Sequence, residues 1–168
     1  IEAGDDPGAG AIPATAATNF TALRVKRDIL RRSTVGAIFT NRSVSVAGAG
    51  ANRAYGADAA LSFFDNITAG GYYARTETPG AGPDTASYQG RFYYDADRYG
   101  ARVDYMKVGK DFNPEVGFLR RLDFKRGAAD LRFSPRAKAR GPIRQYTYDI
   151  NSEYIENNAG HVESKSTT

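Results

Sequence analysis

The stretch SYQGRFYYDADRYGARVDYMKVG, Ser87 to Gly109, divides its residues by parity. On the first arm Tyr88, Gly90, Phe92 and Tyr94 fall on one face, and Gln89, Arg91, Tyr93 and Asp95 on the other. The second arm repeats the division, with Tyr99, Ala101, Val103 and Tyr105 against Arg98, Arg102, Asp104 and Met106. Successive side chains of an extended strand point to opposite sides of a sheet, so period-two alternation predicts two strands and a turn. A two-residue turn at Ala96 and Asp97 sets Phe92 opposite Ala101, Tyr94 opposite Tyr99 and Arg91 opposite Arg102. Like charges directly opposed are unfavourable. A four-residue turn keeps the faces and sets Arg91 opposite Asp104, and is the preferred register.

The same pattern extends to AYGADAALSFFDNITAGGYYARTE, Ala54 to Glu77, with Asp65 and Asn66 as its turn. Ala57, Ala59, Leu61 and Phe63 then share a face with Gly70, Tyr72 and Ala74, while Asp58, Ser62, Tyr73 and Arg75 lie behind. Further strands are predicted at Asn19 to Ile29, Ser33 to Arg42, Gly117 to Lys125, Ala129 to Ser134, Gln145 to Glu156, and from His161 to the end. The fold class is all-β, an antiparallel up-and-down meander of about ten strands with no helix. Residues 1–18, rich in Ala, Gly and Pro, read as a flexible loop or linker ahead of a β domain over residues 19–168.

Short connections, at Leu30 to Arg32, Asp65 to Asn66, Asp95 to Arg98, Arg126 to Ala128 and Asn157 to Gly160, alternate with long ones: SVSVAGAGANR, TPGAGPDTA, KDFNPEV and PRAKARGPIR. Outer-membrane barrels join strands by short turns on one rim and longer loops on the other, with an apolar face toward lipid and a polar interior. On that reading Phe92, Tyr94, Val103 and Tyr105 face lipid, and Arg91, Arg102 and Asp104 face the lumen. The arginines Arg91, Arg102, Arg120 and Arg121 form a ladder of ion pairs there with Asp104 and Asp123. The alternation is also that of a soluble sheet with one solvated face. The rival is therefore a soluble sandwich or open barrel serving as a glycan-binding or glycosidase accessory module, its tyrosines stacking on sugar rings.

Composition narrows the chemistry. The 168 residues include 11 Tyr, 9 Phe and 18 Gly, no Cys or Trp, and a single His, His161. There is no thiol nucleophile, no disulfide framework and no multi-histidine metal site within the chain. DADRYG, Asp95 to Gly100, starts like a calcium loop, but its twelfth position is Met106 rather than glutamate. AGAGAN lacks the third glycine of a dinucleotide fingerprint. Glu153 and Glu156 differ in strand parity, so they cannot flank one glycosidic bond. No catalytic, cofactor or metal residue is assigned. The net charge of +4 is spread along the chain, with PRAKARGPIR as its one dense run. Nucleic acid is not an expected partner.

The remaining run, DFNPEVGFLRR, comprises Asp111, Phe112, Asn113, Pro114, Glu115, Val116, Gly117, Phe118, Leu119, Arg120 and Arg121. It is distinctive in wording and fits no nucleophile, metal or phosphate motif. Asn113 and Pro114 predict a turn on the long-loop rim, with FLRR re-entering the wall: Phe118 and Leu122 on one face, Arg121 and Asp123 on the other. With LRVKRDILRRSTVGAIFTNR, YGADAALSFFDN, RFYYDADRYG and LRFSPR, it resembles an uncharacterised domain that follows a family-9-like carbohydrate-binding module in large secreted proteins of Gram-negative bacteria. The resemblance spans Asn19 to about Glu156. It implies an outer-membrane β-barrel of unknown function, with outer-membrane lipid as partner and carbohydrate engaged through a module absent from this chain. No catalytic residue comes with it. The chain then reads as an internal fragment, cut within a strand at HVESKSTT, of a protein handling extracellular carbohydrate or transporting solute.

Overall fold

The computed structural model describes residues 17–137 and 144–168. Nine strands run β1 (Phe20–Ile29), β2 (Ser33–Arg42), β3 (Asn52–Phe63), β4 (Ile67–Glu77), β5 (Ala86–Asp95), β6 (Tyr99–Val108), β7 (Phe124–Phe133), β8 (Tyr148–Glu156) and β9 (Val162–Thr167). Each pairs antiparallel with the next in one sheet, ordered β1 to β9, with no helix among the described residues. The sheet is open, since β1 and β9 each have one neighbour. All but Ala17 and Thr18 of the predicted linker, and the centre of PRAKARGPIR, lie outside the described residues.

The β5–β6 hairpin takes the four-residue register. Arg91 stands opposite Asp104, Phe92 opposite Val103 and Tyr94 opposite Ala101, and the Ala96 amide donates to the Tyr99 carbonyl at 2.9 Å. The β3–β4 hairpin differs from expectation by one residue. Its turn is Phe64, Asp65 and Asn66, and Phe63 pairs with Ile67. A one-residue slip sends every side chain of a strand to the opposite face. Tyr73 therefore joins Ala57 and Leu61, whereas Tyr72 joins Asp58 and Ser62. The doublets Gly70-Gly71 and Tyr72-Tyr73 read alike on either parity, and β5 decides between them. Tyr73 pairs with Tyr88 and stacks on it at 6.5 Å; the Tyr72 hydroxyl lies 3.0 Å from Ser87 Oγ.

Among the described residues the strand count is nine, because no strand forms over residues 117–123 and no turn at Arg126 to Ala128. β7 runs unbroken through those three residues. Gly127 lies between Tyr105 and Tyr154, and Ala128 between Asp104 and Glu153. Arg-Gly-Ala has turn-like composition, but pairing on both sides holds it extended. Replacing two predicted strands by one reverses the later connections. Connections 43–51, 78–85 and 109–123 share one rim, here the long-loop rim, with 30–32, 64–66 and 96–98 on the other. The long connection 134–147 then falls on the short-turn rim, and the tight turn 157–161 on the long-loop rim. The regular alternation thus holds only as far as β7.

Among the described residues, no element packs across the breadth of either sheet face. Among the described residues, the buried apolar side chains are Val108 and Phe112. Both lie at the long-loop rim, where Asn52, Thr76 and Ser87 are also buried.

Candidate functional site

The registers sort the strands into one apolar and one polar face. On the apolar face, Tyr55, Tyr73, Tyr88, Tyr105 and Tyr154 form a row toward the long-loop rim, and Phe63, Tyr94, Tyr99, Phe133 and Tyr148 form a second toward the short turns. Beside the Tyr73–Tyr88 stack, three further ring pairs lie close. Tyr88 and Tyr105 lie 6.2 Å apart, Tyr99 and Phe133 5.3 Å, and Phe133 and Tyr148 6.3 Å. Between the rows stand small and aliphatic residues with Phe92, and these remain open. Phe92 is 42% exposed, Val103 48% and Ile150 58%.

The polar face is tied together by arginines. Arg24 on β1 reaches Asp58 on β3 at 2.5 Å, and Arg132 on β7 reaches Asp95 on β5 at 2.8 Å. Each crosses an intervening strand at a glycine. A Cβ on Gly36 would lie 2.7 Å from the Arg24 guanidinium, and one on Gly100 3.1 Å from that of Arg132. Arg126 bridges Asp104 at 3.4 Å and Glu153 at 2.5 Å, and Gln89 donates to Asp104 at 2.7 Å. The two carboxylates that imitated a calcium loop are likewise engaged, Asp95 by Arg132 and Asp97 by Arg136. Among the described residues no three acidic or histidine side chains gather as metal ligands.

The loop after β6 folds over the end of this polar face. The Glu115 carboxylate, its side chain 2% exposed, accepts from Ser45 Oγ at 2.6 Å and from the Val46 amide, with Arg42 at 3.5 Å. Asn52, fully buried, donates to the Asn113 carbonyl and to Thr78 Oγ1, both at 2.8 Å, and accepts from the Glu115 amide at 3.3 Å. The Asn113 amide donates to Thr76 Oγ1 at 3.0 Å. Asp111 accepts from the Asp84 amide at 3.2 Å, and its own amide donates to the Asp84 carbonyl at 3.0 Å. One connection thereby fastens β2, β3, β4 and the 78–85 loop. Pro114 and Gly117 close its turn, the Gly117 amide donating to the Pro114 carbonyl at 2.8 Å.

Phe92, Tyr94, Val103 and Tyr105 occur together on the apolar face, and Arg91, Arg102 and Asp104 on the polar one. The expected ladder has different members. Arg91 and Arg102 make no ion pair among the described residues, and Asp104 is taken by Gln89 and Arg126. Phe118, Arg120 and Arg121 stay in the loop: Phe118 is exposed, and Arg121 pairs with Glu163 and lies 5.2 Å from the Phe124 ring. Asp123, outside any strand, accepts from the Asn158 amide at 3.3 Å. Arg24, Arg126 and Arg132 escaped the sequence reading because their partners lie on other strands. No family model matches this chain, and no curated protein and no solved structure is significantly similar to it.

Proposed function

We propose that the chain forms a wall of an outer-membrane β-barrel, with its apolar face in lipid and its polar face lining the lumen. The Asp111–Glu115 loop then narrows the mouth on the extracellular rim. One observation carries the reading: an open apolar face bordered by two aromatic rows on strands of spanning length. β1 to β8 have 9 to 12 residues, against about 9–11 for a tilted strand crossing a bilayer. Aromatic girdles at both interfaces bound the apolar band of such barrels, and inward loops plug some of them. Strands outside this sheet complete the barrel. The resemblance noted above adds the role, extracellular carbohydrate handling or solute passage, with no catalytic group assigned.

The test uses the full-length protein in intact outer membranes, with Phe92→Cys or Val103→Cys. Both thiols are expected to resist a water-soluble maleimide and, once carrying a membrane-permeant fluorophore, to be quenched by a lipid-borne quencher. Protection without quenching places the residues against protein, and recovery of the protein from the soluble fraction removes it from the membrane. Either result overturns the proposal and favours a soluble glycan-binding sheet whose tyrosine rows stack on sugar.

A further inference from the structure

Between the end of β2 and the loop after β6, at the long-loop rim, lies a cavity of about 490 Å³ whose wall includes Arg42, Glu115, Phe118, Arg120, Arg121 and Leu122. Its polar groups are incompletely satisfied. Arg42 Nε is buried with no hydrogen-bond partner among the described residues, and Arg42 Nη1 stands 3.5 Å from Glu115, beyond an ordinary hydrogen bond. The Glu115 carboxylate takes its close bonds from Ser45 Oγ at 2.6 Å and the Val46 amide at 3.1 Å instead. The Phe20 ring, 5.4 Å from the Arg42 guanidinium, supplies no acceptor oxygen. Arg120 is exposed, with no hydrogen bond or ion pair among the described residues. Arg121 is held by Glu163. Apolar side chains also border the cavity and stay open, Phe118 at 87% and Leu122 at 45%. No backbone hydrogen bond joins Phe118 to Leu122 to any other described residue.

We propose that this cavity binds an acidic sugar, its carboxylate facing Arg42 and Arg120 and its ring lying on Phe118. The volume falls within the range of about 300–1,000 Å³ usual for small-molecule sites. A buried donor without a partner calls for an acceptor, and the guanidinium fork matches a carboxylate with two parallel bonds. Charge decides which anion fits. The three arginines of the wall stand against Glu115 and, behind Arg121, Glu163, which leaves a surplus of one positive charge. A carboxylate brings one negative charge, whereas a phosphate monoester brings roughly two. Sugar hydroxyls suit the unpaired amides and carbonyls of Phe118 to Leu122, and an exposed aromatic ring offers a broad apolar surface to the C–H face of a sugar. The cavity belongs to the rim, so the inference holds whether or not the apolar face of the sheet meets lipid.

Full-length protein in a sugar-free detergent is titrated calorimetrically with methyl glucuronide, with methyl glucoside as its uncharged counterpart and benzoate as a ring carboxylate without hydroxyls. Saturable binding of methyl glucuronide is expected, with the other two weaker by roughly tenfold or more. Arg120→Gln and Phe118→Ala alter exposed loop side chains and are each expected to weaken it several-fold. Arg42→Lys keeps the charge beside Glu115 but loses the fork, and weakens it likewise. Arg98→Gln, on the opposite rim, leaves it unchanged. Equal affinity for methyl glucoside removes the arginines from recognition, and equal affinity for benzoate assigns the cavity to an apolar acid; either overturns the proposal. Tighter binding of glucose 6-phosphate overturns it in favour of a phosphate. Binding that survives intact in Arg120→Gln and Phe118→Ala belongs elsewhere in the protein, and no binding by the unaltered protein leaves the cavity without its ligand; both overturn it without touching the membrane-wall reading.

Discussion

Phe64 has a φ of 55° and is 84% exposed, so its backbone sits in the left-handed region while its ring contributes little packing. That conformation costs a non-glycine residue roughly 1–2 kcal/mol, least for Asn. Phe64→Asn is therefore expected to stabilise the folded protein by up to about 1 kcal/mol, measured as a raised denaturation midpoint; a lowered midpoint would show that the ring has a partner. Asn52 is the opposite case, buried with three hydrogen bonds across the rim. Asn52→Ala leaves buried groups without partners, at about 1–3 kcal/mol each. The expected signature is a lower midpoint together with new proteolytic cleavage in the 109–123 loop. In the complete barrel Phe92→Arg should cost up to about 2–4 kcal/mol near the midplane. Gln89→Arg, which places its cation beside Asp104 on the polar face, should cost far less. Equal penalties would mean that the two faces do not meet different media.

At the scale of elements, β7 and the loop before it exchange the roles that their composition implies. Arg126-Gly127-Ala128 looks like a turn yet is hydrogen-bonded on both sides, whereas Phe118-Leu119-Arg120-Arg121 looks like a strand yet enters no β-ladder among the described residues. Hydrogen exchange measures the difference directly. Amides of Arg126 to Ala128 are expected to be protected like the centre of β6, and those of Phe118 to Arg121 to exchange quickly. The reverse pattern would restore ten strands and return the 134–147 connection to the long-loop rim. Asn113-Pro114 marks a local break in extended structure, but the turn that forms runs from Pro114 to Gly117, one residue later than expected. The loop's targets were not legible. Asn52 and Asn113 are 61 residues apart and Thr76 and Asn113 are 37, and nothing in their spacing pairs them.

For the whole molecule, the described residues form an open sheet with two edges and an apolar face that no other described element covers. Unpaired edges and broad apolar patches drive association. The isolated chain is expected to aggregate in buffer and to become monodisperse, with a β-type circular dichroism spectrum, in detergent or lipid. Monodisperse behaviour without detergent would point to the soluble sheet. The sequence by itself determined that the chain is extended, that β5 and β6 have one aromatic and one charged face, and that Arg91 opposes Asp104 rather than Arg102. Each follows from parity or from repulsion between near neighbours. Only the tertiary structure decided the parity of β4, the continuity of β7, which acid each polar-face arginine takes, and what the Asp111–Glu115 loop grips. These depend on the strand alongside or on groups dozens of residues away, and alternation along a single strand carries no record of its neighbour.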